Sequence, residues 1–457
     1  MLINWEYKKK LLVLSSLCFF LILLIGCPQP EHVNKPIAAR PSVTLSPPIA
    51  TTQSSEPSIA PPTPMCSTAP PVYEYYTVNT DSTNFKKINN IDNNLENGYQ
   101  FISNMSYLPD GKNFIFSIND RIIKLNSETG EKNVLIYNAF GNILSPDRTK
   151  ILYEKYQSNT KQIFVTDIDG SNPKIINSAP ENGYSFIKWS PDSSKILYSQ
   201  NMYDSERKII FKLFVKDING NELYNTLING IFYDDYLSWS PDSKKIAYLD
   251  EGTYPLNMSI IDLQSTTLSK IIDDSIPKSI LSWSSDGQKL FYISKPDNIK
   301  NELYYFDTIK KNKTKVTDIT SYNVSLSNDY KYLIYSLTED NLNNIYLLNT
   351  SDLSVKKLTS FNLKEALFGA VWSDDNKKIA ITISTNYMGE KYKDQQNTDL
   401  YLINNDGTNK LRLTNSPVSE QKQKWSPDNK LLFFTSNISL NKNCQRDLVE
   451  NWNYAKQ

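Results

Sequence analysis

Apolar and polar positions along this chain recur in a pattern with a period of about 45 residues. Each period holds a short polar turn followed by an apolar run, and WSPDSSKILY (residues 189–198) is the clearest copy. Pro presets φ in this turn and small polar residues bond nearby amides, so the turn is expected to join two antiparallel strands. Two further stretches per period, such as QIFVTDIDG and KKLTS, predict a third and a fourth strand. The pattern predicts an all-β chain of four-stranded units.

Eight stretches align with this motif, from YLPDGKNFIF to WSPDNKLLFF. Their shared acidic residues are Asp110, Asp147, Asp192, Asp242, Asp286, Asp329, Asp375 and Asp428. Short strands at this period indicate a β-propeller of four-stranded antiparallel blades. We predict eight blades, or seven if the weak first motif does not make a full blade. The Asp residues are expected to hold turns by local hydrogen bonds, and the preceding Trp or Leu to pack between blades.

The two ends of the repeat region complement each other. The last motif lacks its third and fourth strands, whereas residues 72–90 read like a third strand, a hairpin and a fourth strand. Pairing of the ends would close the ring of a monomeric propeller without a free edge. Cys66 and Cys444 flank the paired ends, so they form a disulfide in an oxidising compartment or remain two unpaired thiols.

The N-terminal sequence indicates export. Residues 1–27 combine three lysines with a short apolar run, which is typical of a signal peptide, and end in LIGC. That ending resembles the lipobox of bacterial lipoproteins, which implies acylation of Cys27 and a lipid bilayer as a partner; the alternative is an uncleaved anchor. Residues 28–71 are rich in Pro, Ser and Thr and predict a disordered tether. The propeller spans 72–440, and 441–457 form a C-terminal tail.

The WSPDG-type motif with its following strand resembles the repeats of the TolB-like, WD-type β-propeller family. The resemblance covers residues 72–440 and implies a fold, since that family includes scaffolds, peptidase-associated propellers and lyases. TolB itself carries a separate α/β domain and six blades, whereas this chain has a lipid-anchor signal, a tether and eight motifs. The resemblance therefore does not transfer the role of TolB.

The composition and motifs of the chain exclude several kinds of partner and catalytic site. Lys plus Arg equals Asp plus Glu at 49 each, so nucleic acid is not an expected partner. The single histidine, His32, lies in the tether, which excludes a Ser-His-Asp triad, an HExxH site and histidine-ligated metals from the propeller. No nucleophile elbow or phosphate loop of the Walker type is present. We predict no catalytic residue, no metal and no cofactor.

Longer and more variable connections fall on one face of the predicted propeller, where binding usually resides. The candidate contact residues in these loops are Tyr203, Arg207, Tyr387, Lys391, Tyr392 and Lys393. The favoured hypothesis is a non-catalytic scaffold that binds a protein or an envelope component through this face. One alternative is binding of a carbohydrate or other small ligand, with or without lyase activity, in the central channel, which aromatic residues at the channel mouth would favour. Another is a sensor module in a larger envelope complex.

Overall fold

The computed structural model describes residues 72–88, 103–157, 160–180, 184–203, 209–228, 236–250, 257–272, 278–295, 301–320, 324–340, 342–362, 366–385, 397–415 and 419–438. All of them belong to one compact unit, Met65–Gln457. The predictions for residues 1–71 and 441–457 lie outside the described residues. Where the chain is described, every regular element is a β-strand, as the sequence predicted. This part of the chain contains no apolar helix of membrane-spanning length.

The strands of the first half are β1 (Val72–Asn79), β2 (Lys86–Lys87), β3 (Ser103–Tyr107), β4 (Asn113–Ile118), β5 (Arg121–Asn126), β6 (Lys132–Tyr137), β7 (Ala139–Leu144), β8 (Lys150–Gln157), β9 (Thr160–Asp167), β10 (Lys174–Pro180), β11 (Tyr184–Trp189), β12 (Lys195–Tyr203), β13 (Ile209–Asp217), β14 (Glu222–Ile228), β15 (Leu237–Trp239) and β16 (Lys245–Asp250).

The strands of the second half are β17 (Asn257–Asp262), β18 (Thr267–Ile272), β19 (Lys278–Trp283), β20 (Lys289–Ser294), β21 (Asn301–Asp307), β22 (Asn312–Ile319), β23 (Ser325–Leu326), β24 (Tyr332–Glu339), β25 (Leu342–Asn349), β26 (Val355–Asn362), β27 (Ala366–Trp372), β28 (Lys378–Thr385), β29 (Asn397–Asn404), β30 (Leu411–Arg412), β31 (Ser419–Trp425) and β32 (Leu431–Ile438).

Consecutive strands pair into antiparallel sheets. Six sheets have four strands each, in sequence order: β3–β6, β7–β10, β11–β14, β15–β18, β19–β22 and β23–β26. The remaining strands form one larger sheet in which β27, β28, β29 and β30 pair in order, and so do β31, β32, β1 and β2. A single parallel bridge between Thr398 and Ser419 joins these two groups. This succession of four-stranded antiparallel units is the pattern of a β-propeller.

The N-terminal strand pairs with the C-terminal one. Strand β1 lies antiparallel to β32 along its whole length, from Val72 opposite Ile438 to Asn79 opposite Leu431. Strand β2 then pairs with β1. The chain ends therefore supply the four strands of one unit between them.

The apolar core lies between the sheets. Strand β20 is buried along nearly its whole length because both of its faces pack against neighbouring sheets, whereas the outer strand β18 is largely exposed. Each of the eight apolar clusters combines residues from two consecutive four-stranded units. Trp239, for example, packs with Leu197 and Val215 of the preceding sheet. Burying side chains of this size stabilises the fold by about 1.5–3 kcal/mol each.

Candidate functional site

The first strand of each unit lies at the edge of its sheet, and these strands contact one another. Contacts join β3 with β7, β15 with β19, β23 with β27, β27 with β31, and β31 with β3. The indoles of Trp189, Trp283 and Trp425 reinforce this arrangement by donating to a backbone carbonyl of the preceding unit's first strand. Trp283 Nε1 lies 3.1 Å from the carbonyl oxygen of Ser238, and Trp425 Nε1 lies 3.0 Å from that of Val371. In a propeller the first strand of each blade lies nearest the axis, and we call the eight first strands together the inner ring.

One register position of the inner ring carries mostly hydroxyls and ammonium groups. It immediately precedes the Trp, Leu or Tyr of each motif, and we call it the serine–lysine layer. Its members are Ser106, Ile143, Lys188, Ser238, Ser282, Ser325, Val371 and Lys424. The side chains range from buried Ser282, which is 5% exposed, to Ile143, which is 37% exposed. Lys188 Nζ lies 3.3 Å from the carbonyl oxygen of Leu237 in the next unit.

Lys424 is the most accessible cation of this layer. Its neighbours Gln423 and Trp425 are buried, and Gln423 Nε2 donates to Thr382 Oγ1 at 2.6 Å. Lys424 itself is exposed, yet protein surrounds it closely enough for desolvation to lower the pKa of its ammonium below the usual lysine value. The Lys424 side chain is thus accessible to solvent and yet closely surrounded by protein atoms. As a residue of the first strand β31, it lies on the inner ring.

Aromatic rings lie where the inner strands begin. Phe140 and Phe368 each precede the Leu or Trp of their motif by four residues, and their side chains are 37% and 42% exposed. Tyr156, at the end of β8, is 44% exposed and contacts Phe140 edge to face, with ring centroids 5.3 Å apart. These rings lie on the side of the sheets that carries the connections between units and the connections between second and third strands. We call this side the loop face. We call Phe140, Tyr156 and Phe368 together the aromatic mouth.

The opposite side, which we call the turn face, carries the turns between first and second strands. In seven of the eight motifs a Ser hydroxyl donates to the Asp two residues later; the pairs are Ser145–Asp147, Ser190–Asp192, Ser240–Asp242, Ser284–Asp286, Ser327–Asp329, Ser373–Asp375 and Ser426–Asp428. In the first motif Leu108 replaces the Ser, and Asp110 accepts from the amides of Lys112 and Asn113 at 2.9 Å. The repeated Asp residues thus lie in local hydrogen-bond networks.

Hydrogen bonds keep the Asp192 carboxylate ionised and link its turn to the next one. Burial tends to raise the pKa of Asp192, but donors on Ser190, Ser194 and Lys195 outweigh it and hold this pKa well below the usual range. The Asp192 amide in turn donates to Ser243 Oγ of the next unit at 3.0 Å. The turns of these two units consequently stabilise each other.

An ion pair on the turn face connects two units that are not neighbours. Arg148, in the turn between β7 and β8, lies 2.6 Å from Asp374, in the turn between β27 and β28. Desolvation raises the pKa of Asp374, and the Arg148 guanidinium opposes that rise. The units β31–β2 and β3–β6 lie between these two turns in the order of the sheets, so the pair links two units that are not neighbours on the turn face.

Only one of the six residues predicted to bind a partner lies in the described part of the chain. Tyr203 ends β12, and its backbone pairs with Ile209 on the loop face. The other loop candidates, Arg207, Tyr387, Lys391, Tyr392 and Lys393, lie outside the described residues, as do Cys27, Cys66 and Cys444. No cluster of His, Cys, Asp and Glu within the described ranges could hold a metal ion.

Sequence reasoning missed Phe140, Phe368 and Lys424. A signal for them was present, since each occupies a fixed offset before a repeated Trp or Leu at which most motifs carry a different residue. The motif is defined by the residues that its copies share, whereas these three residues occupy positions at which the copies differ.

Comparison with known proteins identifies the fold. A family model described as the TolB β-propeller domain matches residues 137–370, just over half of the chain. None of the curated proteins is similar enough to count as a relative.

Solved structures resemble the chain distantly. Pyrococcus horikoshii acylaminoacyl peptidase is 16% identical, with a TM-score of 0.44 over 71% of this chain and 54% of the peptidase. Oligogalacturonate lyase from Vibrio parahaemolyticus is 14% identical, with a TM-score of 0.44 over 73% of this chain and 96% of the lyase. TolB from Acinetobacter baumannii is 14% identical, with a TM-score of 0.35 over 74% and 79%. The chain spans about half the length of the peptidases that it matches.

These likenesses correct one prediction. We expected a non-catalytic scaffold, but the matching structures include propellers of acylaminoacyl peptidase, prolyl endopeptidase and oligogalacturonate lyase, which is an enzyme-related set. The prediction failed because an absent histidine excludes particular mechanisms and leaves other ligand chemistry open. Likeness at these TM-scores is one of fold and assigns no reaction to this chain.

Proposed function

The chain belongs to the TolB β-propeller domain family, and from this premise we propose that its central channel binds a small organic molecule entering at the aromatic mouth. The exposure of Phe140 and Phe368 on the inner ring is the observation that carries the proposal. Aromatic rings left accessible at a concave site supply flat apolar surface for a sugar ring or another cyclic ligand. A few polar groups deeper in the channel would then fix the orientation of the ligand.

The two ends of the channel support one direction of entry. Arg148 and Asp374 meet across the turn face, whereas Phe140, Tyr156 and Phe368 are accessible at the other end. A channel that narrows at one end behaves as a pocket, which can surround a ligand on most sides. The ligand therefore reaches the serine–lysine layer from the loop face.

Binding of aryl glycosides tests this proposal. Phenyl β-D-glucoside and phenyl β-D-glucuronide, titrated by calorimetry, should bind the full chain, and Phe140→Ala or Phe368→Ala should weaken binding about fivefold to tenfold, as loss of an aromatic contact does. Ile309→Ala is the matched control, since Ile309 is 67% exposed in a turn between third and fourth strands and should leave the affinity unchanged. Equal affinities for all variants would rule out the aromatic mouth as the binding site.

We further propose that the ring contains eight blades and closes through β1 and β32. The groups β27–β30 and β31–β2 share one bridge, which supports counting them as two blades. The apolar clusters support closure, because one of them joins Phe433 of β32 to Phe114 of β4, with ring centroids 5.1 Å apart. Seven other clusters join the remaining consecutive units in turn.

We also propose that the chain is exported and held at a membrane through acylated Cys27. The basic patch, the short apolar run and the ending LIGC support this location. Cys27→Ser should move the protein from the membrane to the soluble fraction after cell fractionation, and lipid labelling that persists in this variant would contradict the proposal.

A further inference from the structure

The charge of the inner ring differs from that of the whole chain. Acidic and basic residues balance over the full sequence. The described side chains of the eight first strands, in contrast, include the lysines Lys188, Lys422 and Lys424 and a single carboxylate, Glu420. Glu420 is fully buried and so is not accessible from the channel. The wall of the described channel is therefore positive.

Two of these lysines lie close together on β31. A shift in the pairing of β31 with β32 falls between Gln421 and Lys424, and Lys422 has a φ of 55°. Because of this bulge, Lys422 and Lys424 are exposed, whereas the side chain of Gln423 is buried and hydrogen-bonds to Thr382. Bulges re-aim side chains in this way beside binding sites. The irregularity concentrates positive charge on one side of the channel.

Lys424 has no counter-charge among the described residues. Within the described residues its ammonium has no hydrogen-bond or ion-pair partner, and the serine–lysine layer to which it belongs has no carboxylate. A cation that is partly removed from water and lacks a partner is unfavourable, and an anion placed beside it would relieve that cost. Ser106, Ser238 and Ser325 lie at the same level and are partly accessible, so their hydroxyls are available as further donors.

The distance between the two parts of the site sets the size of the ligand. Phe140 and Phe368 lie three positions before the serine–lysine layer, and a bulge in each strand reduces this offset to about two ladder positions, which corresponds to roughly 7 Å along a strand. A ligand that contacts both must carry its apolar ring and its charged group about that far apart. A glycoside with an aromatic or second sugar ring at one end has this length.

We propose that the channel ligand is an oxyanion-bearing ring compound, whose carboxylate or phosphate binds Lys424 in the serine–lysine layer while its apolar end contacts the aromatic mouth. This assignment rests on the proposed function and names its ligand class. Both anions accept charge-assisted hydrogen bonds from an ammonium and from serine hydroxyls. The serine–lysine layer thus selects ligands that carry a negative charge, and the aromatic mouth selects ligands that carry an apolar ring.

Three probes that share one scaffold test the ligand class. They are phenyl β-D-glucoside, phenyl β-D-glucuronide and phenyl β-D-glucoside 6-phosphate, titrated into the full chain at low salt, with inorganic phosphate as a fourth arm. At least one charged probe should bind about tenfold tighter than the neutral glucoside, and the preference should fall as salt is raised. The carboxylate and phosphate arms then distinguish the two oxyanions.

Variants of Lys424 assign the preference to this residue. Lys424→Gln should bring charged and neutral probes to within about twofold of each other, whereas Lys424→Arg should keep most of the preference. Lys430→Gln is the control, because Lys430 is exposed in the turn after β31 and lies outside the layer. Far-UV circular dichroism and the melting temperature of each variant establish that it is folded.

The outcomes separate this inference from the proposed function. Equal binding of charged and neutral probes, or a charge preference that survives Lys424→Gln, would overturn the anion assignment and leave the aromatic mouth standing. Inorganic phosphate that binds in a Lys424-dependent way, together with probes insensitive to Phe140→Ala, would support the anion site and count against the mouth. Absence of binding by every probe would overturn both.

Discussion

The turn face and the inner ring of the same propeller differ in how closely the copies of the repeat resemble one another. On the turn face seven motifs repeat the same Ser-to-Asp hydrogen bond, and neighbouring turns bond to each other, as Asp192 does to Ser243. On the inner ring the copies diverge, so that Phe140, Phe368 and Lys424 occupy positions where most blades carry different residues. The repeated residues build the blades, and the proposed binding site lies where the copies differ. A repeat protein is therefore best searched for function at the positions where its copies disagree.

Removing a repeated core residue should have the largest effect. Trp283 is fully buried between two sheets, and its indole donates to the Ser238 carbonyl. Trp283→Ala should lower the free energy of unfolding by about 3–5 kcal/mol because it leaves a cavity and an unpaired carbonyl. Phe368→Ala, which removes a large but accessible ring from the inner strand β27, should cost below about 1 kcal/mol. Urea unfolding of both variants measures the difference, and similar losses would erase the proposed distinction between repeated and divergent positions.

Replacing a turn carboxylate should have an intermediate effect that depends on pH. Hydrogen bonds depress the pKa of Asp192, so ionisation favours the folded state; this contribution is present above the unfolded pKa of about 4 and is lost as pH falls towards the lower folded value. Asp192→Asn should therefore destabilise the protein by about 1–2 kcal/mol at pH 7, and the difference from wild type should shrink towards pH 3. Urea midpoints at the two pH values test this. A difference that does not change with pH would mean that the turn uses the shape of Asp192 and not its charge.

The ion pair across the turn face should have the smallest effect on stability. Arg148 and Asp374 are each about a third exposed, so their coupling should lie near 0.5–1 kcal/mol. Arg148→Asp and Asp374→Arg should each lower the melting temperature, and the double variant should recover part of the loss. A double-mutant cycle measures the coupling. Strictly additive losses would show that the two turns do not meet, and the channel would then be open at both ends.

Much of the fold could be read from sequence because the information is local. Ser190 and Asp192 lie two residues apart, and WSPD specifies its turn from within a few residues. The Trp of each motif was expected between blades, and Trp239 does pack against the preceding sheet. The loop candidates were chosen for length and residue type, and only Tyr203 among them lies within the described chain. The aromatic mouth was named as the feature that would favour a channel ligand, but its residues were not identified.

The sequence alone determined the strands, the turns and the family, because a short-range pattern that recurs eight times fixes the same local structure at each recurrence. Only the tertiary structure decided which inner-strand side chains remain accessible and which residues meet across the axis. Lys424 and Gln423 are adjacent polar residues in the sequence, yet a bulge exposes one and buries the other. Arg148 and Asp374 belong to different motifs, and the arrangement of the blades brings them together. Such contacts depend on how the blades surround the axis, and no local pattern encodes that geometry.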